Sequence, residues 1–342
     1  MIYLVLVIIL IILSYAEAIF KSKQFSNFFL IILSFVLVLF AGLRDKVGTD
    51  WDAYFDFYKY STDKVEIGYA TLNNFFSSFS ISYNIFLLFI NGVSIMFIYK
   101  FLEKNTIFKI VSILIFFSNL YLYFNLSGIR QALAISITCF SFTFALNKNP
   151  IKFFLLVLLA STFHITAISF LFIYFLPRNN FKVIHILIFS IFFILIYFFL
   201  SSITDLIALY SLKDANYYIN IQEKSESLGQ LYIVGIAVRS VILGMIFYNR
   251  KNLNQIENFT YIFNIYLFGL AIFISTYMIS PDIGVRVSSY FTIFDLIIAG
   301  NLIYSMNNLK SRIFIVTIFS IIAIYKIFGY MGSEYYVYKF IF

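Results

Sequence analysis

Apolar residues in this chain come in long unbroken runs, with the polar residues gathered between them. The runs are apolar on every face and lack the two-residue alternation of a barrel strand, so they predict helices immersed in hydrocarbon. About 20 such residues cross a bilayer core. Ten spans are predicted, at 1–20, 25–43, 83–101, 107–124, 129–146, 183–202, 231–248, 259–279, 285–306 and 313–331. The first is apolar from residue 1 and carries no small-residue cleavage site, so it reads as a retained span and not as a signal peptide.

The segment 153–176 has two readings. As one helix it is about 36 Å long and crosses the membrane, with His164 near its centre. As a hairpin bent at His164, it returns to the side it left. Basic residues favour cytoplasmic loops, and this separates the two readings. With the hairpin, the cytoplasmic loops hold Lys21, Lys23, Lys100, Lys104, Lys109, Lys148, Lys152, Arg178, Lys182, Arg250, Lys251, Lys310 and Arg312, against the acids Glu17, Glu103 and Glu257. With a full crossing, the last two basic clusters move outside. The hairpin is therefore expected. It puts both termini outside, together with two long hydrophilic loops at 44–82 and 204–230.

Composition fixes the class. Of the 342 residues, 62% are apolar and 12% charged, against about 45–50% and about 25% in a soluble domain. The expectation is an all-α polytopic membrane protein, one integral membrane domain over residues 1–342. The net charge of +8 reads as topology and not as a nucleic-acid surface, because the basic residues are scattered in pairs between spans. A lone Cys139 gives no disulfide framework, and His164 and His185 are too few and too far apart for a typical zinc site. No phosphate-binding glycine loop ending in Gly-Lys-Ser/Thr occurs. Internal repeats of the transporter kind are not evident.

Polar residues near the outer surface carry the candidate chemistry. The first loop reads Arg44-Asp45-Lys46-Val47-Gly48-Thr49-Asp50-Trp51-Asp52-Ala53-Tyr54. Gly48 and Thr49 predict a turn, and Asp52 and Asp56 are spaced for one face of a following helix. Asp50-x-Asp52 is similar to the metal-binding pair of nucleotide-sugar transferases, but those substrates are cytoplasmic. Trp51 reads as a sugar platform or as an interfacial anchor. Arg130 opens a span, Arg286 repeats that placement with Tyr290 one turn below, and Arg44 is a third outer arginine. Guanidinium forks suit phosphate oxygens. His164 in Ser161-Thr162-Phe163-His164 reads as a general base, a phosphate donor or a packed core histidine. Arg239 and Asp295 lie well inside their spans, where an ionisable group normally has a partner, and they are predicted to face each other.

These motifs resemble one family. Arg44 followed by Val-Gly-Thr-Asp-Trp-x-x-Tyr and then Glu66-x-Gly68-Tyr69 looks like the first external loop of the EpsG family of Wzy-type polysaccharide polymerases. Arg130-Gln-Ala-Leu-Ala, Phe163-His164 and Arg286-x-x-x-Tyr290 resemble its later motifs in the same order. Trp51 stands where an aromatic such as Tyr is usual. The resemblance implies a GT-C-like membrane glycosyltransferase of the bacterial plasma (inner) membrane, with its active site facing the periplasm or exterior. Its substrates would be oligosaccharide repeat units on undecaprenyl pyrophosphate, joined into O-antigen, capsule or exopolysaccharide. Arg130 and Arg286 are then expected at the pyrophosphate, with Arg44 as a further contact and Asp50 or His164 as the base. Glu66, Tyr69 and Trp51 would shape a sugar groove, and Gln131 and Tyr290 would add substrate contacts. Fixed arginines serve a departing pyrophosphate without a metal, so no cofactor is expected. Membrane lipid is a further partner, a chain-length regulator is left open, and nucleic acid is not expected.

Two rival readings are a lipid-linked oligosaccharide flippase, which needs polar residues at both faces, and an ion-coupled transporter built on Arg239 and Asp295. A ligase moving finished polymer to an acceptor lipid shares the polymerase chemistry and differs only in product.

Overall fold

The computed structural model describes residues 1–60, 65–210, 215–277 and 280–341, with side chains at all of these except 186, 196, 200–231 and 282. Among the described residues the chain is helical, and the only pairing of extended backbone is an isolated antiparallel bridge between Arg44 and Phe340. Among the described residues, seven helices are long and apolar enough to cross a membrane: Ile2–Phe20, Lys23–Gly42, Tyr83–Asn105, Ile129–Leu146, Phe259–Thr276, Ile283–Tyr304 and Leu309–Met331. The expected spans at 107–124, 183–202 and 231–248 coincide with the shorter apolar helices Lys109–Asn125, Val183–Phe199 and Tyr232–Tyr248.

The chain forms two units, Met1–Tyr174 with Asp295–Phe342, and Phe175–Phe294. The first unit opens with α1 (Ile2–Phe20) and α2 (Lys23–Gly42). The long connection 44–82 carries α3 (Trp51–Tyr60), where a helix was expected after the Gly48-Thr49 turn, and α4 (Ile67–Ser78) before α5 (Tyr83–Asn105). In α3 the buried positions are Trp51, Tyr54 and Tyr58, one apolar stripe at helical spacing. With Tyr69, Phe76, Tyr83 and Phe86 they make an aromatic core.

Next come α6 (Lys109–Phe116) and a π-helical stretch Phe117–Asn125. The N-terminus of α6 is closed by a carboxylate from α1. Buried Glu17 accepts from the main-chain N–H groups of Lys109 (2.7 Å), Ile110 (3.0 Å) and Val111 (3.2 Å). Three otherwise orphaned donors and the positive end of the helix dipole are satisfied together. Glu17 thus belongs to the interior and not to a solvated loop.

After α7 (Ile129–Leu146), the segment 153–176 is a hairpin. Its arms are α8 (Pro150–Ser161) and a 3-10 helix, Ile165–Phe175. The Phe153 ring stacks on Tyr174 at 5.7 Å, so the arms lie antiparallel. Each arm is roughly 18–22 Å long, too short to cross alone. The helix stops where the hydroxyls of Ser161 and Thr162 turn back to the carbonyls of Leu158 and Leu159, a competition that weakens continued helix.

The second unit holds α9 (Val183–Tyr210), α10 (Ala215–Tyr248), the single turn α11 (Arg250–Leu253), α12 (Phe259–Thr276) and α13 (Pro281–Thr292). The stretch 204–230, expected as a loop, is therefore helical on both sides of 211–214, which lie outside the described residues. Helices α12 and α13 approach closely because Gly269 and Gly284 carry no side chain. A Cβ on Gly269 would sit 2.5 Å from Phe291, and one on Gly284 would sit 2.8 Å from the Tyr277 backbone. The chain then breaks at 293–294, mid-span, and enters α14 (Asp295–Tyr304) and α15 (Leu309–Met331) of the first unit.

Candidate active site

Four separate stretches of the first unit meet: the connection 44–82, the turn 126–128 ahead of α7, the hairpin tip at 162–165, and the tail 333–341. The loop begins at Arg44, whose side chain is 1% exposed. Its Nε donates to the carbonyl of Val47 and its Nη2 to that of Leu126, each at 3.1 Å, and its Nη1 donates to the carbonyl of Ala41. Burial pushes the guanidinium below its usual pKa, and Tyr83 and Tyr121 oppose that shift; arginine remains a cation under such conditions. Expected as a phosphate contact, Arg44 is engaged here in folding the loop.

The tail secures the same stretch. The N–H of Asp45 donates to the carbonyl of Lys339 at 2.9 Å, and that of Gly48 donates to Tyr335 at 2.8 Å. Gly48 has φ 106°, the left-handed region that glycine tolerates, and a Cβ there would lie 2.0 Å from the Leu126 carbonyl oxygen. The Thr49 N–H donates to Ser127 Oγ at 3.0 Å, and Ser127 Oγ is 2.8 Å from the Tyr336 hydroxyl. Asp50 follows, partly exposed, with one oxygen accepting from its neighbour Thr49 Oγ1 at 3.0 Å. Nothing in the last span predicted the role of the tail.

At the centre stands Arg130. Its Nη1 forms an ion pair with Glu66 Oε2, and its Nε donates to the Tyr54 hydroxyl at 3.2 Å. The guanidinium also lies over the rings of Tyr54 and Tyr69, at 5.5 and 6.0 Å from their centroids. One edge of the fork is thus fixed, while Nη2 has no partner among the described residues and the side chain stays 20% exposed. Burial raises the Tyr54 phenol above its ordinary pKa, with Arg130 opposing, so the hydroxyl stays protonated beside the arginine. Trp51 and Tyr69, expected to line a sugar groove, are core rings beneath this surface, 7% and 0% exposed. Gln131 is buried in α7.

Glu66 also reaches the hairpin. Its Oε1 accepts from the Ile165 N–H at 3.3 Å, and the Gly68 N–H donates to the Thr162 carbonyl at 2.8 Å. His164 lies between these contacts, 7% exposed, with Nδ1 2.7 Å from Thr166 Oγ1. The structure therefore brings Glu66, Arg130, Tyr54 and the His164 turn together. Deeper in this unit, Asn119 of the π-helical stretch joins two charges. It donates to Asp295 Oδ2 at 2.9 Å and accepts from Lys326 Nζ at 2.8 Å.

In the second unit, Arg286 is partly exposed on α13 and Tyr290, one turn on, is fully buried. Arg239 donates to the Gly235 carbonyl at 3.0 Å and lies 4.0 Å from the Phe273 ring centroid. Arg239 and Asp295 fall in different units. Among the described residues, no three His, Cys, Asp or Glu side chains are grouped so as to hold a metal ion.

Fold and loop geometry thus define a polytopic helical membrane protein with a fixed, half-open arginine at the end of a span. The EpsG family model matches residues 27–341, nearly the whole chain. The chain belongs to the EpsG family, a family of polysaccharide polymerases. No characterised protein and no solved structure matches it.

Proposed function

We propose that this protein joins oligosaccharide repeat units carried on undecaprenyl pyrophosphate, on the outer face of the bacterial plasma membrane, by a Wzy-type reaction without a metal. The observation that carries the reading is Arg130, clamped on one edge by Glu66 and Tyr54 and open at Nη2. A cation held rigid before the substrate arrives stabilises charge that develops on a departing pyrophosphate, because no reorganisation is needed at the moment of transfer. Arg286 is assigned to the pyrophosphate from its motif in the sequence alone. The acceptor hydroxyl loses its proton to Asp50 or His164 as the anomeric carbon gains oxocarbenium character. Arg44, Trp51 and Tyr69 act from beneath by holding the loop and the rings under Arg130.

The outward orientation rests on the basic loops together with the hairpin, whose antiparallel arms return the chain to the level at which it entered. The GT-C comparison is one of architecture, many apolar helices carrying an outer active loop. The test is the length profile of surface polysaccharide in the source bacterium with the gene deleted and then restored. Collapse of a ladder to a single-repeat band, rescued by wild type and by neither Arg130→Ala nor Arg286→Ala at normal protein level, is the expected result. Loss of even the single repeat would point to flipping, and an unchanged ladder would overturn the reading.

A further inference from the structure

Three main-chain bonds hold the tail 333–341 against the start of the 44–82 connection. The Ile341 N–H donates to the Leu43 carbonyl at 3.2 Å, that of Asp45 to Lys339 at 2.9 Å, and that of Gly48 to Tyr335 at 2.8 Å. Such bonds need no particular side chain. Two tail phenols then bond in different directions. The Tyr338 hydroxyl donates to the Phe40 carbonyl near the end of α2, at 2.6 Å. The Tyr336 hydroxyl lies 2.8 Å from Ser127 Oγ, and both residues are buried.

Ser127 is a junction. Its Oγ accepts from the Thr49 N–H at 3.0 Å, and its carbonyl accepts from the N–H of Ile129, the first residue of α7, at 3.0 Å. Asp50 follows Thr49, and Arg130 follows Ile129. One small side chain therefore joins the turn that carries a candidate base to the helix that carries the fixed cation. Asp50 is anchored on its other side as well, since its carbonyl accepts from the Tyr54 N–H at 3.0 Å.

What this junction requires is a single orientation of the Ser127 hydroxyl. A serine side chain has several staggered rotamers open to it, and a second hydrogen bond selects the one that faces Thr49. Tyr336 supplies that bond from a fixed ring, which meets Tyr330 edge-on at 4.8 Å. Burial above all raises the Tyr336 phenol above its usual pKa, and the nearby Asp50 charge acts in the same direction, so the hydroxyl keeps its proton. The geometry points to Tyr336 as a positioning residue for the transfer reaction: through Ser127 and Thr49 it fixes where the Asp50 carboxylate stands relative to Arg130. The proposal rests on the polymerase reading above, with Asp50 as its base. Placement matters to rate, because misplacing a catalytic group by about 1 Å can cost about 10²-fold.

The test measures transfer by full-length protein in nanodiscs, with a defined lipid-linked repeat unit as donor and acceptor, beside a thermal melt. Absence of transfer by wild type overturns the polymerase reading itself, and is seen before any variant is scored. Tyr336→Phe removes one oxygen and leaves the main-chain docking of the tail in place. Its kcat is expected to fall about tenfold with KM and melting temperature near wild type. Ser127→Ala is expected to lose at least as much, and adding Tyr336→Phe to it nothing further, because both act through one contact. Tyr338→Phe, whose bond goes to α2, is expected to lower the melting temperature and spare kcat. In Asp50→Asn, the residual single-turnover rate is expected not to change when Tyr336→Phe is added, since no carboxylate is left to place. Wild-type kcat in Tyr336→Phe would overturn the proposal. The same fold loss with and without the Asp50 carboxylate would overturn it too, as would an equal loss of kcat in Tyr338→Phe, for either marks a hydroxyl that serves folding only.

Discussion

Glu66 and Arg130, 64 positions apart, form an ion pair that ties the 44–82 connection to the start of α7. The pair is about one-fifth exposed at each side chain, so its own worth to folding is no more than about 1 kcal/mol. Its consequence is geometric. Glu66 and Tyr54 fix the Nη1 and Nε side of the guanidinium and leave Nη2 directed elsewhere. Arg130→Lys keeps the charge and loses the fork, and polymerisation is expected to fall about 10²-fold or more with little change in melting temperature. Initial rates with a defined lipid-linked acceptor, read beside a thermal melt, check this.

Glu66→Gln and Tyr54→Phe probe the clamp itself. Both are hydrogen bonds to a charged guanidinium, a kind that contributes about 1.5–3 kcal/mol; Glu66→Gln also removes the opposite charge, so the rate loss is expected to be larger there. Because both side chains hold one guanidinium, the double variant is expected to lose less than the product of the two single effects. Strict additivity would show that the two contacts act independently of Arg130.

Where the loop crosses other segments, there is no room for a methyl group. Gly48→Ala combines a left-handed φ with a Cβ 2.0 Å from the Leu126 carbonyl oxygen. The backbone strain alone costs about 1–3 kcal/mol, and a clear fall in folded yield and melting temperature is expected. Gly68→Ala meets Thr162 Oγ1 at 2.3 Å and the Thr162 carbonyl oxygen at 2.8 Å. Thr162→Ala added to it removes only the first clash, so partial recovery of activity is expected.

Glu17 gives a prediction about stability without chemistry. Replacing it by Ala leaves three buried N–H groups of α6 without an acceptor, at about 1–3 kcal/mol for a group left unsatisfied. Glu17→Gln keeps one acceptor oxygen and is expected to fall between wild type and Glu17→Ala in thermal unfolding. The protein that does fold is expected to polymerise normally. A specific rate defect in folded Glu17→Gln would tie this cap to the active loop.

Most of the fold was legible because hydrocarbon imposes a simple rule: runs of apolar residues with no polar face must be helices. Even the hairpin at 153–176 followed from where Arg250, Lys251, Lys310 and Arg312 would otherwise fall. Boundaries were less legible. The π-helical stretch, the helical parts of 204–230 and the break before Asp295 depend on packing and not on hydropathy. Site residues were found as types and not as partners. Arg130 and Glu66 were both picked out, yet nothing in either motif says that they pair. Arg44 was read as a surface cation because burial cannot be seen in a residue name, and it proved to be enclosed by the carbonyls of Ala41, Val47 and Leu126. Trp51 and Tyr69 were read as a groove from residue type alone; a helix was expected around Asp52 and Asp56, but its buried face was not, and the spacing in α3 and α4 turns those rings inward. The tail went unread because its contacts with the loop are mostly main-chain bonds, which leave no side-chain signature.

Asp50 and His164 remained equivalent as bases on residue type, and the structure separates them by access. His164 is 7% exposed, with Nδ1 already facing Thr166 Oγ1 at 2.7 Å, whereas Asp50 is partly exposed on the turn ahead of α3 and has one oxygen occupied by its neighbour. A base must come within about 3.2 Å of the proton it removes, which favours the more exposed Asp50. Asp50→Asn preserves shape and removes basicity, so turnover is expected to drop about 10²- to 10⁴-fold while affinity for the lipid-linked unit stays near wild type. His164→Gln is expected to cost less in turnover and more in stability, since it disturbs the hairpin tip that receives Glu66. The decisive measurement is single-turnover transfer at saturating acceptor for both variants. A dead His164→Gln that melts like wild type, beside an active Asp50→Asn, would reverse the assignment.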